Sequence, residues 1–159
     1  MCRSGSKNGV CGGVVYRRPD ELYVYMKPLY TTDVLIHFRD ADPQGILYFS
    51  RVYDLAHNCL EEFWSKSPFG WRYWFQNPEF AVPLRHSACE YFRPMQVGDT
   101  YRSKLTVAKI GESSVEFICE FTQRDTGTVY TRVSTTHVFV DKKTFTKINV
   151  PERVRLIFQ

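Results

Sequence analysis

One stripe of apolar side chains constrains this chain more than any other feature. Val52, Leu55, Ala56, Cys59, Leu60, Phe63 and Trp64 recur at spacings of three and four, while Arg51, Asp54, Asn58, Glu61, Glu62 and Lys66 fall off the stripe. That spacing predicts one continuous amphipathic helix. Ser50 is its expected N-cap, and Ser67-Pro68-Phe69-Gly70 ends it. Its single apolar face needs a broad apolar surface to cover it, and the flanking sequence supplies strands.

Before the helix, Asp33 to Phe38 is β-branched and apolar. After it comes the aromatic, irregular GWRYWFQNPEF, where a short helix is expected, and then four strand-like runs: AVPLRHSACEYFRP, TYRSKLTVAKI, SSVEFICEFTQR and TVYTRVSTTHVFVD. The turns between them are Pro94 to Asp99, Gly111-Glu112-Ser113 and Asp125-Thr126-Gly127. In the third run Val115, Phe117, Cys119 and Phe121 alternate with Glu116, Ile118 and Glu120. In the second, Tyr101, Ser103, Leu105 and Val107 do not separate cleanly from the other face. Strand, one helix and an antiparallel run of strands make an α+β domain whose sheet curls around the helix. A sheet edge left uncovered favours a dimer.

Composition narrows the function classes. With 159 residues, 43% apolar and 16% aromatic, the chain is expected to form one domain with a real core. The net charge of +4 suits an anionic coenzyme and falls short of a nucleic-acid signal. Cys2, Cys11, Cys59, Cys89 and Cys119 are odd in number and form no C-x-x-C pair, so they read as reduced thiols. His37, His57, His86 and His137 are not at ligand spacing with them, so no metal site is expected. No apolar run approaches the roughly 20 residues of a membrane span, and a cytoplasmic protein is the expectation. Residues 1–25, beginning MCRSGSKNGVCGG, read either as a flexible tail or as an over-extended start ahead of Met26. The domain is expected over 26–159.

The stretch RDADPQGILYF, Arg39 to Phe49, joins the first strand to the helix. By itself it is a turn: Pro43 presets φ, and Gly45 allows φ > 0. In context, Asp40-Ala41-Asp42-Pro43-Gln44-Gly45-Ile46-Leu47-Tyr48 resembles the D-x-D-x-x-G-[VI]-x-[YF] signature of hotdog-fold thioesterases of the 4-hydroxybenzoyl-CoA thioesterase type. Tyr91-Phe92-Arg93-Pro94 with Val97-Gly98-Asp99 resembles the family's strand and G-D turn, and the resemblance covers residues 30–150. Tyr48-Phe49, His57 with Glu61, and Phe80-Ala81-Val82-Pro83-Leu84-Arg85-His86 are similar to the subgroup that hydrolyses 1,4-dihydroxy-2-naphthoyl-CoA. Arg51 departs from the polar amide common at that position in related thioesterases.

The resemblance implies an acyl-CoA thioesterase acting on an aromatic or medium-chain acyl group, with no metal and no cofactor beyond the coenzyme A of substrate and product. Thioester hydrolysis needs a carboxylate or base and donors for the carbonyl oxygen. By resemblance Asp42 is the catalytic carboxylate, as nucleophile or general base, and the backbone N–H groups of Tyr48, Phe49 and Ser50 polarise the carbonyl. Gly45, His57, Glu61 and His86 would meet the substrate. Lys104, Arg93, Lys142 and Arg132 are candidates for the coenzyme phosphates.

The plainer readings are a turn aspartate at Asp42, a hydrogen-bonding Asp40, a half-buried helix histidine at His57, a solvated or interface Glu61, and satisfied strand histidines at His86 and His137. Tyr48 as a packing residue belongs with them. GWRYWF reads as an aryl-pocket wall or as a loop packing on a neighbouring subunit. A hotdog dehydratase is disfavoured because no histidine occurs between Arg39 and Phe49. The alternative from another class is a non-catalytic hotdog module that binds acyl-CoA or a protein partner. The family implies a homodimer or homotetramer.

Overall fold

The computed structural model describes residues 27–158. The reading of residues 1–25 as a tail or over-extended start falls outside them. Strand β1 (Tyr30–Leu35) leads through a short 3-10 turn (Phe38–Asp40) into helix α1 (Arg51–Lys66) and then α2 (Trp71–Phe75). Strands β2 (Phe80–Ala81), β3 (Leu84–Tyr91), β4 (Thr100–Ile110), β5 (Ser114–Gln123), β6 (Val129–Val138) and β7 (Val140–Asp141) follow, and α3 (Glu152–Ile157) closes the chain. The large sheet runs β1-β4-β5-β6-β3, every neighbour antiparallel. Helix α1 packs against β1, β4 and β6. This is the expected α+β hotdog arrangement, one helix wrapped by an antiparallel sheet.

The stripe on α1 explains the wrap. Val52, Ala56, Cys59, Leu60, Phe63 and Trp64 are all buried. They meet the inward residues of β5, of which Val115, Phe117, Cys119 and Phe121 are buried as the alternation predicts. Burying one such aliphatic or aromatic side chain stabilises by roughly 1.5–3 kcal/mol, so the stripe and the sheet together carry the core.

Three expectations change. On β4 the alternation is strict: Tyr101, Ser103, Leu105 and Val107 are buried and the residues between them are not. Polar groups hid it in the sequence. Ser103 Oγ lies 3.1 Å from Cys119 Sγ, and the Tyr101 hydroxyl accepts from the Gln96 amide at 3.0 Å. The run from Ala81 to Pro94 is not one strand. Phe80–Ala81 pairs with β7, and only Leu84–Tyr91 joins the large sheet. Between them stands Pro83, which has no N–H for a ladder. Ser50 is not a side-chain N-cap. It is already helical at φ −77° and ψ −22°, with no capping bond from its hydroxyl. The helix entry is tied instead by the Arg51 amide donating to the Tyr48 carbonyl at 2.9 Å.

The aromatic segment after α1 packs inward. Trp74 is buried and stacks on Trp64 with ring centroids 4.7 Å apart, then meets Phe117 and Phe139 edge-on. Of GWRYWF, Trp74 is a core residue, Trp71, Tyr73 and Phe75 are half-buried, and Trp74 and Phe75 also wall a cavity.

Candidate active site

The loop between β1 and α1 is built around Asp42. Its amide donates to the Ile46 carbonyl at 2.8 Å, and its carbonyl accepts from Gly45 at 3.0 Å. Its side-chain Oδ1 accepts from the amides of Gln44 at 2.8 Å and Ile46 at 3.4 Å. These bonds hold one carboxylate oxygen in the turn. The other, Oδ2, has no partner among the described residues. Gly45 sits at φ +79°, a left-handed conformation that glycine adopts without the Cβ penalty. Leu47 donates to Met95 at 2.8 Å and Val97 to Gly45 at 3.1 Å, so the loop is laced to the turn between β3 and β4.

A cavity of about 380 Å³ opens here, lined by Asp42, Tyr48, Phe49, Tyr91, Arg93 and Met95 among others. The rings of Tyr48 and Phe49 lie 4.8 Å apart and are exposed, and the Tyr91 hydroxyl donates to the Phe49 carbonyl at 2.6 Å. The three amides expected to polarise a carbonyl divide. Tyr48 N–H is committed to the Asp40 carbonyl at 2.8 Å, so Tyr48 lends its ring rather than its amide. The amides of Phe49 and Ser50 donate to nothing among the described residues. They stand at the positive end of α1, where negative charge is favoured.

A second, larger cavity of about 600 Å³ lies along α1. Its walls include His57, Trp74, Phe75, Phe80, Leu84 and His137. His57 therefore lines a cavity, though a different one from Asp42. Its Nε2 is 3.1 Å from Glu61 Oε1, and its ring meets Phe75 edge-on at 5.6 Å. Glu61 lines neither of these cavities and reaches the larger one only through His57. His137 is buried, its Nδ1 3.3 Å from the Val82 carbonyl, and burial pushes its pKa below the ordinary value. It is a satisfied interior histidine.

His86 is not with the others. It pairs in register with Thr136, whereas Thr135 and His137 line the large cavity, so His86 occupies the outward face of β3. A bulge between Leu84 and His86 sets that phase. Arg132 is also displaced from its expected role. It is buried, bonded to Glu120 at 2.6 and 2.8 Å and near Glu90 at 3.7 Å, with Phe92 beneath it. A guanidinium held this way is a structural ion pair rather than a phosphate ligand. Lys142 donates to the Asn77 carbonyl at 2.7 Å at the rim of the large cavity, Arg93 borders the Asp42 cavity, and Lys104 stands opposite Glu120 on the outer face of β4.

In the sequence Tyr91 stands within a strand motif, with nothing to mark it as a site residue. Its partner Phe49 is 42 positions away, and only the fold joins them. Among the described residues no cluster of His, Cys, Asp and Glu is arranged to hold a metal ion, and no helix is long and apolar enough to cross a membrane.

The profile of the thioesterase-like superfamily matches residues 36–158. The chain belongs to the thioesterase-like superfamily. By that membership this thioesterase is a hydrolase of thioesters. A 1,4-dihydroxy-2-naphthoyl-CoA hydrolase of Nostoc punctiforme is 30% identical over 79% of the chain and 83% of its own length. A hydrolase of the same name from Trichodesmium erythraeum is 25% identical over 76% of the chain and 88% of its own length. In three dimensions the thioesterase resembles a 1,4-dihydroxy-2-naphthoyl-CoA thioesterase from Synechocystis, with a TM-score of 0.73 at 22% identity, covering 81% of this chain and 94% of that one. A gentisyl-coenzyme A thioesterase superposes with a TM-score of 0.67 at 16% identity, over 80% and 98% of the two chains. Both structural likenesses concern the fold.

Proposed function

We propose that this thioesterase hydrolyses an aromatic acyl-CoA of the 1,4-dihydroxy-2-naphthoyl class, releasing the free acid and coenzyme A. The observation that carries the reading is the loop at Asp42. A carboxylate with one oxygen anchored and one unengaged lines a cavity bordered by Phe49, whose amide, like that of the adjoining Ser50, has no partner among the described residues at the helix start. A thioester carbonyl oxygen held by those amides would gain negative charge where donors already point.

Asp42 then acts in one of two ways. Its Oδ2 attacks the carbonyl carbon, expels the thiolate and leaves a mixed anhydride that water opens; or it takes a proton from water as the water attacks. In both, the C–S bond breaks and the proton balance is restored by protonation of the thiolate. Thiolate leaves readily, so little acid assistance is needed.

The sheet supports a dimer as the working unit. Strand β3 has one neighbour, β6, and is largely exposed from Leu84 to Tyr91. A long unpaired edge invites pairing with a second copy. Antiparallel pairing of two β3 strands about their midpoint sets Tyr91 of one protomer beside Leu84 of the partner subunit. Tyr91 lines the Asp42 cavity and Leu84 the His57 cavity. The two would then join across the interface, with Asp42 supplied by one subunit and the aromatic cavity by the other. The apolar, aromatic walls of that cavity favour an aryl acyl group over a polar one. Arg93 is the basic residue at the Asp42 cavity best placed for a coenzyme phosphate. The free thiols Cys59, Cys89 and Cys119 suit a reducing compartment such as the cytoplasm.

Thiol release from a panel of 1,4-dihydroxy-2-naphthoyl-, 4-hydroxybenzoyl- and medium-chain acyl-CoA, with Asp42→Asn alongside, tests the reading. Turnover of the aryl substrates that disappears in folded Asp42→Asn is the expected result. Wild-type-like turnover by the variant removes Asp42 from the mechanism. Binding without turnover on every substrate makes the protein an acyl-CoA-binding module.

A further inference from the structure

The loop between β7 and α3 carries a conformation its sequence should resist. Phe145 has φ +56°, and among the described residues it is the one position other than glycine with a positive φ. A bulky aromatic residue in the left-handed region is an outlier that the surrounding structure has to hold.

The surroundings do hold it. Asp141 Oδ1 accepts from the Lys143 amide at 2.9 Å and from the Thr144 amide and hydroxyl at 2.8 and 3.1 Å. The Phe145 amide donates to the Asp141 carbonyl at 2.9 Å, and the Asp141 amide donates to the Thr146 carbonyl at 2.8 Å. The Thr144 and Thr146 hydroxyls share a bond at 2.7 Å. The turn is closed around a single carboxylate, and Phe145 stands at its tip.

Phe145 is 68% exposed, yet it lines the 600 Å³ cavity. It stacks on no other aromatic ring among the described residues. Glycine or asparagine at position 145 would close the same turn more easily, so turn formation does not account for a phenylalanine. Its place at the mouth of an aromatic cavity does.

We propose that Phe145 is a specificity-determining residue: the Asp141 turn holds its ring as the outer wall of the cavity, where it packs against the aromatic acyl group. This rests on the aryl-acyl reading of that cavity. An aryl group seated against Phe75 and Phe80 would then meet a further ring on its open side, and a short aliphatic acyl group would not reach it.

The test is equilibrium binding of 1-hydroxy-2-naphthoate, a fluorescent stand-in for the released acid, to the full chain and to Phe145→Gly. Glycine removes the ring and suits the positive φ, so the variant should melt no lower than wild type. Phe145→Asn, also at home in the left-handed region, is the second variant should glycine loosen the loop. Loss of the ring should weaken binding about tenfold, ~1.4 kcal/mol, while Lys143→Ala in the same turn binds as wild type does. Equal binding by wild type and both Phe145 variants overturns the proposal, and so does failure of the wild type to bind the probe at millimolar concentration. Thiol release from the aryl-CoA panel is read separately. A tenfold binding difference without turnover rejects the hydrolase reading alone; turnover with unchanged binding rejects the role of Phe145 alone.

Discussion

The Tyr91 hydroxyl donates to the Phe49 carbonyl at 2.6 Å, tying the end of edge strand β3 to the loop just before helix α1. The bond fixes the peptide adjoining the Ser50 amide, one of the two unpaired donors at the candidate site. Partial burial pushes the Tyr91 pKa above tyrosine's ordinary value, so the hydroxyl stays protonated and remains a donor. Tyr91→Phe should lower kcat/KM for aryl-CoA about tenfold, with a stability loss of about 1 kcal/mol. Steady-state kinetics and urea unfolding measure the two. An unchanged kcat/KM would make the bond a packing detail.

Arg132 and Glu120 form an ion pair inside the outer layer of the sheet, with the Arg132 side chain 8% exposed and Glu120 18%. Arg132→Leu leaves the carboxylate without its partner and should cost roughly 3 kcal/mol. The KM for acyl-CoA should stay within about twofold of wild type, because a group so enclosed has no phosphate to hold. A variant with intact stability and a raised KM would return Arg132 to the coenzyme site.

A Cβ built on Gly45 meets nothing within 4 Å, so any penalty of Gly45→Ala comes from the backbone at φ +79° rather than from a clash. The substitution should lower stability by roughly 1–2 kcal/mol. Because Gly45 donates to the Asp42 carbonyl, activity should fall further than the loss of folded protein explains. Turnover normalised to folded enzyme from circular dichroism checks this.

His137 is disfavoured as a cation by burial first, with a smaller contribution from nearby His57; its bond to Val82 acts the other way. The unfolded chain therefore binds the proton more readily than the folded one. Stability from this group is present above about pH 6.5, the unfolded value, and is lost as pH falls through the lower folded value. Melting temperature should drop between pH 7.5 and 5.5 in the wild type, with a shallower slope in His137→Gln. Parallel slopes would assign acid sensitivity elsewhere.

The sequence by itself determined the helix, the hairpins and the α+β class, because each rests on local periodicity or local turn chemistry. The stripe from Val52 to Trp64 is buried where its spacing put it except at Leu55, which is half-buried, and the loop motif around Asp42 folds into the turn that Pro43 and Gly45 suggest. Family membership was legible in the same residues. The break at Pro83 and the alternation of β4 were less so, since Ser103 and Tyr101 look polar until their partners are known.

Only the tertiary structure decided which atoms are engaged. The Tyr48 amide is taken by Asp40 and those of Phe49 and Ser50 are not; Arg132 is enclosed by Glu120; His86 turns outward from the cavities. Tyr91 reaches Phe49 across 42 residues, and Phe145 is held at a cavity mouth by a turn centred on Asp141. Hydrogen-bond partners distant in sequence, and the phase of a strand after a bulge, are set by packing of the whole chain. No local pattern encodes them, and they separate a residue that lines a site from one that merely lies near it.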